Sequence, residues 1–281
     1  MKARVLIDCD PGHDDALALV YAARHLDVVA ITTVFGNASV EHTTRNALTI
    51  CDLARLDAPV AAGAAGPLLG GLMSAAHVHG ASGMDGAELP PPRRQVSGQH
   101  AVDAIIEAAR CASGQLTLVP LGPLTNVALA LRREPRLAQW LAGISLMGGS
   151  TGAGNITAHA EFNMACDPEA AAVVFASGVP IRMVGLNVTR QARIGAAHIA
   201  QLRASGGQVA GLFADLLAFY LQRTQAVYHR DTASMHDPCA LLDLIEPALL
   251  TWRDTHVHVE LGSPMLRGKV GDRSPERRPS R

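Results

Sequence analysis

A chain of 281 residues with 48% apolar side chains can bury one substantial core, and none of its apolar runs is long enough to cross a bilayer. Its net charge of −1 is uneven: residues 1–266 hold 18 basic and 23 acidic side chains, residues 267–281 six and two, so the body lacks the basic balance of a nucleic-acid binder. Five scattered cysteines (9, 51, 111, 166 and 239), without a CxxC pair, argue against a zinc site or disulfide framework and for free thiols in a reducing cytoplasm.

In chain order, Arg4–Ile7 is a short apolar strand entered directly from Lys2, which is not the layout of a signal peptide. It runs into Asp8-Cys9-Asp10-Pro11-Gly12-His13-Asp14-Asp15 and a helix at 14–25. Strand Val28–Val34 and helix 39–56 follow. Residues 63–97, rich in Gly, Ala and Pro and carrying His77 and His79, read as a long loop of the kind that serves as a lid. Helix 98–112, strand Leu116–Val119, helix 123–133 and strand Ile144–Met147 come next, then a polar, Gly-rich stretch at 148–163. Helix 167–177 and strand Ile181–Val184 complete the alternation. Helices near 196–204, 208–229 and 237–245 and a late strand at Thr255–Leu261 follow. From Arg267 the chain is rich in Arg, Pro and Ser, has no apolar period and reads as disordered.

This alternation predicts an α/β fold: one domain over residues 1–266 with a mostly parallel central sheet, helices on both faces in the manner of a Rossmann-like open sheet, and a basic tail over 267–281. In such sheets ligands bind outside the carboxyl ends of the strands. The unusual residues sit there: Asp8–Asp15, Phe35-Gly36-Asn37, Leu121-Gly122-Pro123, Gly148–Asn163 and Gly185-Leu186-Asn187. A parallel sheet would bring all five segments to one rim.

Four carboxylates in the eight positions Asp8 to Asp15 repel one another, and a hard cation such as Ca²⁺ or Mg²⁺ would compensate them. The blander reading is a solvated turn with Asp14 and Asp15 favouring a helix N-terminus. His236-Asp237-Pro238 repeats the Asp-Pro pairing; Asp237 can cap a helix and ligate a cation together. Glu161, Asn163 and Asn155 suit a polyhydroxylated ligand, since hydroxyls need both donors and acceptors, although loop amides also satisfy local backbone. Asn37 is equally ambiguous. Of twelve histidines, His79 and His236 are the ones placed to protonate a leaving group. No Walker A or GxGxxG pattern is present.

Taken together, the opening block Asp8–Ala16, the blocks Ala30–Asn37, His77-Val78-His79-Gly80, Leu118–Asn126, Leu146-Met147-Gly148-Gly149, Ala160-Glu161-Phe162-Asn163 and His236–Ala240 resemble, in order, the nucleoside N-ribohydrolases, particularly the inosine-uridine-preferring group. That resemblance implies a Ca²⁺ held by Asp10, Asp15, Asp237 and the carbonyl oxygen of Leu121, with ribose hydroxyls and a water completing its shell. It implies that Asp10 takes the water's proton and Asp14 binds the 2′-hydroxyl, that Asn37, Asn155, Glu161 and Asn163 hold the other hydroxyls, and that Met147 lines the floor. His236 would protonate the departing base, with His79 close to it. Both histidines fit the group acting on pyrimidine nucleosides and inosine. The implied activity is hydrolysis of ribonucleosides to ribose and free base, in cytoplasmic nucleoside salvage, by a homodimer or homotetramer.

Members of the family continue past the late strand into another strand and a C-terminal helix, whereas Arg267–Arg281 shows no such pattern and reads as a truncated or altered end. Two rivals stay open at this level. One is a Mg²⁺ phosphohydrolase using Asp8 and Asp10; the other is a ribose- or nucleoside-binding protein that has lost turnover.

Overall fold

In the computed structural model, which describes residues 2–272, six strands form one parallel sheet. They are β1 (Arg4–Cys9), β2 (Asp27–Thr33), β3 (Val60–Ala62), β4 (Leu116–Pro120), β5 (Leu141–Met147) and β6 (Ile181–Val184), in the spatial order β3-β2-β1-β4-β5-β6. Successive side chains of β1 leave opposite faces: Val5, Ile7 and Cys9 enter one core and Leu6 the other. Both faces of the strand are buried, which is why it reads as an unbroken apolar run.

Helices His13–His25, Val40–Ala54 and Pro238–Ile245 cover the first face, and Ala101–Ala112, Thr125–Arg133 and Pro168–Phe175 the second. The expected strands and these helices are all present. The sequence pattern missed β3, whose three residues Val60-Ala61-Ala62 have little β-branched character. It also missed the two-stranded ribbon of Arg193–Ile194 with Ala233–Ser234. The stretch 63–97 is largely irregular, apart from the short helix Ala76–His79, but it is not a free flap. Ala75, Val78 and Met84 are buried, and Arg223 Nη2 donates to the His77 carbonyl at 2.7 Å.

One expectation needs correction. Order does not stop at residue 266: Val270–Asp272 pairs antiparallel with Val257–Val259, Val270 is buried in the second core, and Arg267 pairs with Glu169. An apolar residue at only one position of so short a strand gives no period to read. The remainder of the expected tail, 273–281, lies outside the described residues. Among the described residues no helix is long and apolar enough to cross a membrane.

The strand order reverses direction at β1: the chain proceeds to β2 and β3 on one side, then crosses to β4 on the other. That reversal opens a crevice beyond the carboxyl ends of β1 and β4, the binding position of doubly wound sheets. Asp8 lies opposite Pro120, and Leu121 N–H donates to Asp8 O at 2.8 Å, so the acidic turn and the Leu121 carbonyl emerge side by side.

Candidate active site

The crevice is a cavity of about 270 Å³. Its lining includes Asp10, Asp14, Asn37, His79, Leu121, Met147, Asn155, Glu161, Asn163, His236 and Asp237. Asp15 sits directly behind this wall, fully buried. Four of the five expected strand-end segments therefore meet in one cavity; the fifth contributes through Arg190, just beyond it.

The solvated-turn reading of the acidic motif fails, because Asp8, Asp10, Asp14 and Asp15 are all buried. Oxygens of Asp14, Asp15 and Asp237 lie within 4.8 Å of one another. Burial first, then the neighbouring carboxylates, pushes Asp237 well above the usual carboxylate range. Burial and Asp14 likewise raise Asp15 to about 6, with a hydrogen bond to Asp237 acting against that rise. Asp237 stands at the N-cap of Pro238–Ile245 without capping it by its side chain. Asp10 is outside the tight trio; burial and then Asp15 raise its pKa well above normal. Among the described residues no Lys or Arg forms an ion pair with any of these four. Buried charges of one sign without partners are costly, and a divalent cation with oxygen ligands would offset that cost, so the donor set fits such an ion.

The geometry around Asp10 is forced. Asn37 N–H donates to its Oδ2 at 2.7 Å, and a Cβ added at Gly36 or Gly122 would lie 2.1 or 2.3 Å from its carboxylate oxygens. Only glycine leaves room for Asp10 at both places. Asn37 spends its side-chain amide on Asp10 O at 3.0 Å and Asp15 Oδ2 at 3.2 Å, so it braces the acidic turn and offers a ligand only Oδ1. Asn163 is similarly engaged: its Nδ2 donates to Leu121 O at 2.7 Å and Met147 O at 3.2 Å. A carbonyl oxygen has two lone pairs, so Leu121 keeps one for a cation.

Glu161 caps the helix Phe162–Cys166, accepting from Asn163 N and Met164 N, and it also accepts from Gly149 N at 2.9 Å. Burial raises its pKa, and these backbone donors hold it back. Asn155 Oδ1 accepts from Phe162 N at 2.9 Å, leaving its amide hydrogens for a ligand. The loop amides thus serve local backbone and line the cavity at once.

Asp8 points away from the cavity. Its Oδ1 accepts from Thr32 Oγ1 at 2.6 Å and Asn126 Nδ2 at 2.8 Å, while Oδ2 has no partner. Burial raises it to about 7. A carboxylate so enclosed cannot attack a bound substrate, so in a phosphohydrolase the nucleophile would have to be Asp10 rather than Asp8. Its contacts instead join β1, β2 and the helix Thr125–Arg133.

At the other end, His236 Nδ1 lies 2.7 Å from Thr189 Oγ1, and its backbone N–H donates to Asp14 Oδ2 at 3.1 Å. Burial is the main cause of its lowered pKa; Asp14 opposes, and Arg190 and Arg230 add to it. The pKa of His79 is lowered well below the usual histidine range, by burial first and then by His13, His236 and His77. The His79 ring stacks on Tyr220 and His13, with centroids 5.1 and 5.3 Å apart. The sequence reading missed Tyr220, Thr224 and Tyr228, which line the cavity from one face of Gln208–Tyr228. Their spacing of four was the available signal. Arg190 and Arg230, also in the lining, had none.

Comparison with known proteins agrees with this geometry. Residues 5–280 match the family model described as inosine-uridine preferring nucleoside hydrolase. The chain is 45% identical over 277 residues to the pyrimidine-specific ribonucleoside hydrolase RihA of Shewanella sp. (strain ANA-3), covering 95% of this chain and 86% of that protein. It is 39% identical over 271 residues to the pyrimidine-specific ribonucleoside hydrolase RihB of Escherichia coli O139:H28, covering 96% and 87%. Among solved structures, a plant nucleoside hydrolase superposes with a TM-score of 0.92 at 33% identity, covering 97% of this chain and 87% of its own. A purine-preferring ribonucleoside hydrolase from Gardnerella vaginalis gives 0.91 at 32%, covering 95% and 87%. With its acidic turn, its strand-end crevice and its relatives in agreement, the chain belongs to the inosine-uridine preferring nucleoside hydrolases, enzymes that act on N-glycosyl bonds.

Proposed function

We propose that this protein hydrolyses the N-glycosidic bond of pyrimidine nucleosides and inosine to ribose and free base, dependent on Ca²⁺, in cytoplasmic nucleoside salvage. The observation that carries the reading is one cavity with an unpaired carboxylate cluster at its floor and a half-buried histidine, His236, on its wall. The pyrimidine-specific names of RihA and RihB support a pyrimidine base. Free cysteines throughout support a reducing compartment. A homodimer or homotetramer is proposed from the family resemblance alone.

Asp10, Asp15, Asp237 and the Leu121 carbonyl would hold the cation, and Asp14 lies close enough to join them or to meet the 2′-hydroxyl. When bound, Ca²⁺ lowers the pKa of a water and anchors sugar hydroxyls. Asp10, fixed by Asn37 N–H, takes the attacking water's proton as the oxygen reaches C1′. The buried carboxylates favour the positive charge that develops on the ribose ring. Glu161, Asn155 and the free Oδ1 atoms of Asn37 and Asn163 orient hydroxyls. His236, oriented by Thr189 and Asp14, donates a hydrogen bond or proton to the departing base, with His79 beside it.

Incubation with uridine, cytidine, inosine and a phosphomonoester, with and without a chelator, tests this. Base release that chelator abolishes and Ca²⁺ restores supports the proposal; phosphate release overturns it. Tight nucleoside binding without base release would establish the binding-protein alternative.

A further inference from the structure

The cavity is electrically two-ended. Its floor holds Asp10, Asp14 and Asp237, whereas the wall around His236 holds Arg190 and Arg230. Arg190 follows Thr189, whose hydroxyl meets the His236 ring, and its fork is anchored by donating from Nη1 to Ala153 O at 3.1 Å and from Nη2 to Gly154 O at 2.6 Å. A guanidinium has five donors, so this anchoring leaves others for a ligand. Neither arginine is paired with a carboxylate among the described residues. Tyr228 lines the same wall, and both arginines favour the ionised form of its hydroxyl.

We propose that Arg190 and Arg230 form an anion subsite at the base end of the cavity, with Arg190 a catalytic residue that holds the negative charge of the departing base. The inference rests on the ribonucleoside reading. Water oxygen bonds to C1′ as the C1′–N bond breaks, and that bond's electron pair goes to the base nitrogen and spreads onto the ring carbonyl oxygens. One proton of the water passes to Asp10, and the base regains a proton from His236 or solvent. Until then the base is an anion. Fixed donors aimed at that charge stabilise the transition state more than the neutral bound nucleoside. The planar guanidinium suits such a delocalised anion better than a point charge does.

The test compares Arg190→Gln and Arg230→Gln with the parent, with Ca²⁺ present, on uridine and on a 4-nitrophenyl riboside whose phenolate leaves unaided. Arg190→Gln should lower kcat on uridine by about 100-fold with KM little changed, and change the nitrophenyl substrate by less than about threefold; Arg230→Gln should act in the same direction more weakly. Calorimetry with uracil, 6-carboxyuracil and uridine 5′-monophosphate gives a readout independent of turnover. The parent should bind the carboxylated base about 10-fold more tightly than uracil, and Arg190→Gln should erase that difference. Equal losses on both ribosides, or no preference for the carboxylated base, overturn the subsite. Preference for the 5′-monophosphate alone also overturns it, assigning the arginines to a phosphate. If the parent releases no base from any riboside, the hydrolase reading fails and the calorimetry alone decides the subsite.

Discussion

The backbone N–H of His236 donates to Asp14 Oδ2 at 3.1 Å, joining the cavity wall that carries Arg190 and Arg230 to its acidic floor. The two residues are 222 positions apart in the chain, so the contact exists only once Pro238–Ile245 has docked on His13–His25. It ties the backbone position of His236, the proposed leaving-group acid, to the carboxylate cluster.

That proposed role predicts a leaving-group signature. His236→Ala should slow uridine hydrolysis by about 100- to 1000-fold while an activated aryl riboside loses much less. Thr189→Ser should keep the Nδ1 contact and near-parent rates, and Thr189→Val should show the His236 pattern in weaker form. Steady-state kinetics on both substrates would check this, and equal losses would discard His236 as the acid.

Asp10→Asn separates chemistry from stability. Turnover should drop by at least about 100-fold, because the group that accepts the water's proton is gone. Removing one of several buried like charges should at the same time raise the melting temperature of the cation-free protein. Base release and a chelated thermal melt on the same preparation check both; a lower melting temperature would contradict the charge argument.

Cation binding should appear as stabilisation of the folded state. At about 100 times the dissociation constant, Ca²⁺ should add about 2.7 kcal/mol, read by urea melts with and without chelator. Gly36→Ala, which would force Asp10 aside, should abolish most of that gain. An unchanged gain would show that Asp10 does not contribute to the site.

Asp8 carries a pH prediction. Its folded carboxyl is raised to about 7, so between about pH 4 and about pH 7 the folded state holds a proton that the unfolded chain has released. Unfolding free energy from this group therefore falls as pH rises through that window and levels off above it, by up to about 1.4 kcal/mol per pH unit. Asp8→Asn removes the term while keeping an acceptor for Thr32 and Asn126. The stability of Asp8→Asn relative to the parent should rise with pH across the window in paired urea melts, and base release should stay within a few-fold of parent. The comparison matters because His79 and His236, whose pKa values burial lowers, act in the opposite sense, losing stability as pH falls through the histidine range.

The acidic turn and the expected strand ends were legible because their residue types are costly without a reason. A buried strand that ends in carboxylates, or a Gly-Pro break after apolar residues, is a poor choice for scaffold alone. The order β3-β2-β1-β4-β5-β6 was not legible, since each strand has apolar side chains on both faces and no periodicity says which neighbour it takes. Tyr220, Thr224 and Tyr228 were hidden for a related reason: within a largely apolar helix, their face cannot be told from a core stripe until the partner surface is known. Asn37 and Asn163 were recognised as site residues, but their engagement with Asp15 and Leu121 O needed three-dimensional distances.

Val270 packs so closely beneath Gly149 that a Cβ there would lie 3.0 Å from its Cγ2, and Gly149 N–H is one of the donors that hold Glu161. The ribbon of Val257–Val259 and Val270–Asp272 is thus an underlay for the loop that holds Glu161, although it contributes no atom to the cavity. A substitution there would register as weakened ribose recognition in a protein that still folds, a defect easily mistaken for one in the catalytic residues themselves.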